Sequence, residues 1–471
     1  MNPADETSVP DTTCRELATF AHGLKFEDIP RPVVHEATRR IIDTLGCGYG
    51  GYHNESARIA REISNEYSGQ SEAHVLGTSG RTTPELAAYA NAVMIRYQDL
   101  NDVNKALRAG GHPSDVIPAI LAVADAHHLS GKDALRGVVI AYQGFGAIPV
   151  HVKKRGWDQG IMVSTAVAMG VGAILQLSVE QIENAISLAL VPNLPLCVTR
   201  RGELSMWKSC ASAAANRNAI FATLLAAKGL TGPSKPIEGV HGLIEQATGP
   251  FTLELDPEAH GFRVTQSDIK RFPACGSTQA VIATLIDMTR DLNADDVETI
   301  DVATHWDTWF ETGKEPEKWD PQSRETADHS LPYVMATALR QGDVTLDSFT
   351  DAAISDPSLR PLMSRIRISE DPELTALRPA QTLSDIVITT RAGERLEQRT
   401  GIPLGDHRNP LSDEQLEQKF RGMAEPVITH GRVDEVLGAL WNLENEVDCE
   451  STMRIWANSV DQDATPESRP E

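Results

Sequence analysis

The hydrophobic spacing of the chain changes twice along its length, and this change constrains the fold most. Up to about residue 268, apolar residues recur at helical spacing in one segment after another. Between residues 269 and 404, segments such as 297–304 alternate apolar and polar residues as half-buried strands do. Helical spacing returns from residue 412. We therefore predict a mainly α protein with a large all-helical domain, residues 1–268 completed by 405–471, and a smaller α+β lid domain, residues 269–404.

The length of 471 residues supports this division, because such a chain usually exceeds a single hydrophobic core. Local patterns predict helices at residues 14–21, 33–45, 55–67, 84–97, 115–128, 131–148, 163–177, 204–228, 243–247, 281–292, 331–341, 346–353 and 412–443, and strands at 297–304, 364–369 and 384–390. Glycines in residues 46–51 predict a helix break, and the polar tail from Asp448 predicts a loose end.

The composition argues against several classes of partner and site. A formal net charge of −23 argues against nucleic acid and anionic membranes, since both require a basic protein face. No apolar run approaches the roughly 18 to 20 residues of a membrane span, and the N-terminus is acidic where a secretory signal is basic, so we expect a cytoplasmic protein. The six cysteines form no Cys-x-x-Cys pair, which predicts free thiols and no zinc or iron–sulfur centre.

A polar stretch between two helical segments, residues 97–115, is the first candidate site. It places around a Gly-Gly turn the residues Asp99, Asn101, Asp102, Lys105, His112 and Asp115. Pro113 biases His112 away from helical backbone, so His112 should lie on a bend before the next helix. Asp99 should lie at the C-terminus of the preceding helix, whose dipole would raise its pKa. A purely structural origin is the alternative, because loops collect Asp, Asn and Gly for their turns.

Lys208 is the second candidate, near the start of the Ala-rich helical segment 204–228. The helix dipole disfavours a cation at this end and favours an anion. Lys208 could therefore have a lowered pKa, or could share a bound carboxylate with the exposed amides of the first turn. The alternative is an ordinary solvated lysine.

Six segments in a fixed order carry a resemblance. They are Asp99-Leu100-Asn101-Asp102 with His112-Pro113-Ser114-Asp115, Gly156-Trp157-Asp158, residues 204–208 (Leu-Ser-Met-Trp-Lys), 229–233 (Gly-Leu-Thr-Gly-Pro), 270–274 (Lys-Arg-Phe-Pro-Ala) and 328–333 (Asp-His-Ser-Leu-Pro-Tyr). Together they resemble the signature of the MmgE/PrpD family, which holds 2-methylcitrate dehydratases and cis-aconitate decarboxylases. The resemblance, over residues 16–440, implies the same two domains, a homodimer with its active site between the domains, and neither cofactor nor metal.

The resemblance also implies residue roles. The expected catalytic residues are Asp99, His112 and Lys208, and the residues expected to bind substrate are Lys270, Tyr333, Asp158, Cys275 and Asn101. Three positions favour the dehydratase branch over the decarboxylases. Asp158 stands where decarboxylases carry a functional His, Val103 where they carry a Thr, and Cys275 where they carry a His. Cys275 is not expected to act as a nucleophile, because no adjacent group would lower its pKa.

We predict a cofactor-independent hydro-lyase that dehydrates 2-methylcitrate or a similar β-hydroxy tricarboxylate. Such a reaction requires a base for the proton α to a carboxylate, an acid for the departing hydroxide, and cations for the developing charge. The alternatives are a cis-aconitate decarboxylase, a carboxylate epimerase of the same family, and a non-catalytic carboxylate-binding dimer.

An acidic protein that binds a polyanion needs a local cationic pocket, because distant charges are screened beyond about 8 Å. The candidate cations are Lys105, Arg108, Lys153, Lys154, Arg155, Arg200, Arg201, Lys208, Lys270 and Arg271, of which at least half are expected to be solvated surface.

Overall fold

The structure is a computed structural model that describes residues 12–67, 72–105, 110–149 and 156–460. Arg108 and the basic residues 153–155 lie outside the described residues. Two separate hydrophobic cores are present in the described part of the chain. One is built from residues between Cys14 and Ile269 together with residues 411–460, and the other from residues 272–388.

Helices form most of the first part of the chain, and all but the last of those named here contribute buried residues to the first core. They are α1 (Thr12–Gly23), α2 (Arg31–Gly50), α3 (Glu55–Asn65), α4 (Pro84–Tyr97), α5 (Ile117–Ala126), α6 (Gly131–Gly146), α7 (Gly160–Ile174), α8 (Val179–Leu190), α9 (Trp207–Ala227) and the single turn α10 (Pro257–His260). A two-stranded antiparallel ribbon, β1 (Ala73–His74) and β2 (Arg81–Thr82), connects α3 to α4.

Small residues let α6 and α7 approach closely. Every residue of α7 is buried, and a Cβ added at Gly170 would lie 2.9 Å from the backbone oxygen of Gly137 in α6. No side chain fits in that gap, so glycine is required there for the two backbones to pack. The close packing places the beginning of α7, which follows Asp158 and Gln159, against the buried N-terminal part of α9.

The second core lies between a mixed four-stranded sheet and the two helices Gln279–Thr289 and Leu331–Gln341, and further short helices belong to the same part of the chain. Its helices are α11 (Gln279–Thr289), α12 (Trp306–Thr312), α13 (Arg324–Ala327), α14 (Leu331–Gln341), α15 (Asp351–Ile354), α16 (Leu359–Met363) and α17 (Pro372–Ala376). Its strands are β3 (Val297–Thr304), β4 (Ile366–Glu370), β5 (Ser384–Thr390) and β6 (Arg395–Arg399), in the order β4-β3-β5-β6.

The strands β3 and β4 are parallel, and β5 is antiparallel to both β3 and β6. Ile300 pairs with Ile388 and Val302 with Ile386, so these four alternating side chains share one buried face of the sheet. That face packs on α11 and α14. The chain then returns to the first core through α18 (Asp413–Ala424), α19 (His430–Trp441) and α20 (Cys449–Ala457).

Three sequence predictions about these elements are wrong. The glycines near residue 46 do not break α2, because Gly46 faces α18 and a Cβ there would lie 2.8 Å from the Phe420 ring. The tail after Asp448 is not loose up to residue 460, because α20 buries Trp456 completely against the first core. Residues 346–353 form a 3-10 turn followed by the short α15 rather than one helix.

The mainly α fold with a smaller α+β part is therefore as the sequence predicts. The exact division, residues 1–268 with 405–471 and residues 269–404, is kept as a proposal that the two cores support. No disulfide joins the six cysteines, all of which are buried. Among the described residues, no helix has the length and apolar composition needed to cross a membrane.

Candidate active site

A polar cavity lies between the helical part and the α+β part of the described chain. The helical part contributes Arg96, Asp99, Val103, Lys105, His112, Gln159 and Arg200 to its lining. The α+β part contributes Cys275, Asp307, Glu311, His329 and Arg378. The cavity thus gathers charged groups that are far apart in the sequence.

Asp99 is the anionic centre of this region. It follows the end of α4 in a left-handed turn, with φ 49°, and is completely buried. Arg96 donates a close hydrogen bond to its Oδ1 atom, and the Nζ atom of Lys270 lies 3.1 Å from the same oxygen. The Oδ2 atom has no hydrogen-bond partner among the described residues. Asp99 therefore carries its charge among cations and keeps one oxygen unbonded.

The expected rise in the pKa of Asp99 is wrong. Burial does raise the pKa of this carboxyl, but Lys270, Arg96, Lys208 and His329 together hold it well below its usual range. The neighbouring cations outweigh the helix dipole on which the expectation rested. Asp99 is thus a carboxylate at neutral pH and a poor proton donor.

His112 has the extended backbone that Pro113 predicts, with φ −120° and ψ 93°. Its Nδ1 atom lies 2.7 Å from the backbone oxygen of Asp102, which can only accept, so Nδ1 carries the proton. Its Nε2 atom then accepts a hydrogen bond from Arg96 Nη2 at 2.7 Å. Burial, Arg96 and Lys270 lower the pKa of His112 well below its usual value, against the opposing effect of Asp99. His112 is therefore a neutral imidazole whose basic nitrogen faces a guanidinium.

Gln159 and Asn101 fix the loop that carries His112. The side-chain oxygen of Gln159 accepts from the His112 backbone N–H at 3.0 Å, and its Nε2 donates to Asp115 at 2.7 Å. A Cβ on Gly111, whose φ is 101°, would clash with the Gln159 side chain, so glycine is required there. Asn101 is fully buried and donates to Ser114 and Asp115, both at 2.9 Å. Asn101 does not line the cavity, so its observed contacts are structural.

Lys208 joins the two parts of the protein. It lies in the first turn of α9, as predicted, but it is buried rather than solvated. Its Nζ atom donates a close hydrogen bond to Asp328 Oδ1, in the α+β part, and that oxygen lies 2.7 Å from Nδ1 of His329. Burial and Lys208 lower the pKa of His329 to about 4, although Asp328 acts in the opposite direction. The carboxylate of Asp328 therefore orients a neutral His329 that lines the cavity.

Lys270 is buried and enclosed by oxygen atoms. Its Nζ atom donates to the backbone oxygen of Asp99, lies 3.2 Å from the backbone oxygen of Ala274, and is paired with the Asp99 carboxylate. An ammonium has three N–H donors, and these three acceptors match them. In this structure Lys270 holds Asp99, and its expected contact with substrate stays a prediction.

The other expected substrate residues lie at different depths. Cys275 lines the cavity, and burial raises the pKa of its thiol, as expected for a cysteine that is not a nucleophile. Asp158 is buried and accepts from Arg200 Nε at 3.2 Å, so it orients a lining arginine. Tyr333 belongs to the second core, donates to the Ser348 backbone oxygen at 2.6 Å, and does not line the cavity.

Arg96, Arg378 and His329 are lining residues that the sequence analysis did not select. Arg96 is three residues before Asp99, a spacing that allows a pair across a helix end. His329 lies inside residues 328–333, which carry the family resemblance, so the sequence could have indicated it as a candidate site residue. Arg378, whose Nη1 donates to the Lys105 backbone oxygen at 3.2 Å, had no local signal because its partner is 273 residues away.

The cavity contains several of the candidate cations, but the carboxylates of Asp99, Asp307 and Glu311 also line it, so a cationic pocket stays a prediction. Lys105, Arg200 and Arg378 line the cavity beside Arg96, although each is already paired with a carboxylate. Arg271 is exposed and Arg201 is half-buried outside the lining. Each of the lining cations is already paired, so the carboxylates of a bound polyanion must compete for them with the protein's own carboxylates.

Two clusters group possible metal ligands that are far apart in the sequence. One consists of Asp99, Asp328 and His329, and the other of Asp268, Asp406 and His407; within each, one ligand atom per residue lies within 4.8 Å of the others. In the first cluster, Arg96, Lys270 and Lys208 already supply the positive charge beside the carboxylates. Metal independence stays a prediction, and spacing along the sequence could not reveal these clusters.

Comparison with known proteins yields two family models and several relatives. The model described as the MmgE/PrpD N-terminal domain matches residues 15–256, and the MmgE/PrpD C-terminal domain matches residues 272–443. The cis-aconitate decarboxylase of Homo sapiens is 27% identical, with 92% of each chain aligned. The mitochondrial 2-methylcitrate dehydratase of Yarrowia lipolytica is 26% identical over 91% of this chain and 87% of its own. The 2-methylcitrate dehydratase of Salmonella typhi is 27% identical over 77% and 79%. The names of these relatives describe lyase-type enzymes.

Proposed function

Since the chain belongs to the MmgE/PrpD family of lyase-type enzymes, we propose that it is a hydro-lyase that dehydrates 2-methylcitrate or a similar β-hydroxy tricarboxylate. The observation that carries this proposal is a neutral His112 beside the Asp99 carboxylate in a cavity lined by both cations and carboxylates. A neutral imidazole in such surroundings can remove a proton whose carbanion the cations stabilise.

His112 acts as the base in this proposal. Its Nε2 lone pair is the basic site, because Nδ1 donates to the Asp102 backbone. Arg96 now occupies that lone pair, so its guanidinium must turn towards an incoming carboxylate before proton transfer. This rearrangement couples substrate binding to the exposure of the base.

Lys208 and the Asp328–His329 pair protonate the departing hydroxide. The Lys208 ammonium and the buried Asp328 carboxylate share a close hydrogen bond, and His329 is held by the same oxygen. A proton donated from this group to the leaving oxygen releases water and lowers the charge of the group by one, while His112 gains the α proton, so the total charge of the site is unchanged. Asp99 balances Arg96 and Lys270 and keeps them in place.

Two positions in the cavity support dehydration over decarboxylation. Val103 and Cys275 both line the cavity, with an apolar side chain and a thiol, and the family resemblance implies a Thr and a His at these positions in decarboxylases. The cis-aconitate decarboxylases among the relatives keep that activity as the second candidate. The epimerase and the non-catalytic dimer are the remaining alternatives, and homodimer formation and a cytoplasmic location stay proposals.

The test is a substrate panel. Purified protein is incubated separately with 2-methylcitrate, citrate and cis-aconitate, and both unsaturated product and CO₂ are followed. We expect unsaturated tricarboxylate without CO₂ from 2-methylcitrate. CO₂ from cis-aconitate without any dehydration would establish the decarboxylase instead, and no reaction with any substrate would favour the non-catalytic alternative.

A further inference from the structure

Lys105 is the cation of the cavity lining with the fewest partners. Its Nζ atom lies 3.1 Å from Asp268 Oδ2, and this is the one ion pair or hydrogen bond of Nζ within the described part of the chain. The lining arginines Arg96, Arg200 and Arg378 each use at least two guanidinium nitrogens in hydrogen bonds. An ammonium has three N–H donors. Lys105 can therefore donate to a ligand without giving up Asp268, so competition from the protein's own carboxylates is weakest there.

Asp268 is fixed through both its backbone and its side chain. Its backbone N–H donates to the Val103 oxygen at 2.8 Å, and its backbone oxygen accepts from the Val103 N–H at 2.9 Å. Its Oδ1 atom accepts from the His407 backbone N–H at 2.9 Å and lies 2.8 Å from His407 Nδ1. The other carboxylate oxygen, Oδ2, faces Lys105. Asp268 therefore offers Lys105 a carboxylate whose position is set by three other contacts.

The surroundings of Lys105 keep this pair charged and in place. Burial raises the pKa of Asp268, but Lys105 and His407 outweigh burial and lower it below its usual value, so Asp268 is a carboxylate. From the α+β part, Arg378 Nη1 donates to the Lys105 backbone oxygen at 3.2 Å. The backbone of Lys105 is thus held from one part of the protein and its ammonium from the other side chain, Asp268.

We propose that Lys105 binds a carboxylate of the substrate, and that Asp268 is the positioning residue that holds the Lys105 ammonium at the cavity. This inference rests on the proposed function and names one cation that recognises the substrate. A free lysine side chain is rotamer-rich, and ordering such a side chain opposes binding. Because Asp268 orders Lys105 before the ligand arrives, less conformational entropy is lost when the ligand binds.

The test uses tricarballylate, which carries three carboxylates but no hydroxyl and so cannot be dehydrated. Its binding is measured by calorimetry for wild type, Lys105→Met, Lys105→Gln, Asp268→Asn and the double variant Lys105→Met with Asp268→Asn. Lys314→Met is the matched control, because it changes the net charge as Lys105→Met does, and Lys314 is exposed and does not line the cavity.

We expect both Lys105 variants to bind tricarballylate about 10- to 100-fold more weakly, the loss typical of one charged hydrogen bond. Asp268→Asn should weaken binding by about 2- to 10-fold, the cost of ordering one long side chain. Lys314→Met should match wild type. In the Lys105→Met background, Asp268→Asn should cause no further loss, because Asp268 acts through Lys105. A merely structural Asp268 would cause the same loss in both backgrounds.

Wild-type affinity in both Lys105 variants would overturn the proposal. So would wild-type or tighter binding by Asp268→Asn, or an equal loss from this substitution in both backgrounds. Failure of the Lys105 variants or of Asp268→Asn to fold would overturn it as well, because the pair would then be structural. If wild type itself does not bind tricarballylate, the proposed function fails too, whereas binding by wild type with unchanged variants removes this inference alone.

Discussion

Replacing Asp99 with Asn tests whether this carboxylate balances the buried cations. Asn is among the residues that tolerate a left-handed turn, so Asp99→Asn keeps the φ of 49° and removes the charge. The Asp99 Oδ1 atom lies 3.1 Å from Lys270 Nζ, which corresponds to about 5 kcal/mol of attraction at an effective dielectric constant near 20. Removing one member of a buried pair generally costs about 3 to 5 kcal/mol. We therefore expect a loss of this size in the free energy of unfolding.

The assay is urea denaturation at neutral pH, followed by tryptophan fluorescence. Asp385→Asn is the matched control, because Asp385 is paired with Arg399 at 2.6 Å on the exposed surface of the α+β part. Such a pair contributes at most about 1 kcal/mol. The urea midpoint should therefore fall much further for Asp99→Asn than for the control.

The pH dependence of the stability difference between wild type and Asp99→Asn provides a second test. The folded-state pKa of Asp99 is well below its usual 3.8, so its stabilisation is complete above pH 3.8 and is lost as the pH falls through the lower value. The gap between wild type and Asp99→Asn should stay constant from neutral pH to pH 3.8 and narrow only below it. A loss no larger than that of Asp385→Asn would refute the counter-ion role.

Four further outcomes follow from the same site. His112→Gln should lower kcat by about 10² to 10⁴ with little change in KM, and near-normal turnover in steady-state assays would remove His112 as the base. Lys208→Ala should lower kcat more than it raises KM, because the Lys208–Asp328–His329 group protonates the departing hydroxide; complete loss of turnover beside an active His112→Gln would instead make Lys208 the base. The acid limb of kcat/KM should fall well below pH 6.5, because a base works only above its pKa and the pKa values of His112 and His329 are lowered, the latter to about 4; a limb at pH 6.5 would contradict this. Activity should survive exhaustive chelation, and a loss that only iron or zinc reverses would show that the Asp99, Asp328 and His329 cluster holds a metal.

Elements with strong local signals are predictable to the residue. Residues 84–97, 297–304, 331–341 and 384–390 form α4, β3, α14 and β5 with the expected bounds. Each shows clear periodicity, and Pro at the first or second helical position marks both helices. Alternation in β3 and β5 is clear because one face of the sheet is buried.

The helix α8 was missed despite a local signal, whereas tertiary packing explains the errors at α20 and α2. The helix α8 was not predicted, although Ser178 and Gln181 form a capping box that marks its start. The helix α20 is polar at its start and gains its stability from Trp456 in the core. The glycines of α2 predicted a helix break, because a short stretch of sequence does not show that they pack against α18.

The candidate site also depends on contacts between residues far apart in the sequence, which local patterns do not predict. The loop geometry of His112 follows from local sequence, since Pro113 determines it. The Lys208–Asp328 pair joins residues 120 apart, and the pKa of Asp99 depends on Lys270, 171 residues away. Local reasoning about the helix dipole therefore gave the wrong sign for Asp99. Tyr333 lies in the predicted helix and packs in the second core, and its contact with substrate stays a prediction.

The most direct test of the proposed chemistry is isotope exchange during turnover of 2-methylcitrate in D₂O. If the site removes a proton α to a carboxylate and expels hydroxide reversibly, the unsaturated tricarboxylate should form without CO₂. The recovered substrate should then contain one deuterium at the α-carbon, and His112→Gln should suppress both signals together. Release of CO₂ from cis-aconitate, with no unsaturated tricarboxylate formed from 2-methylcitrate and no deuterium in the recovered 2-methylcitrate, would contradict the account.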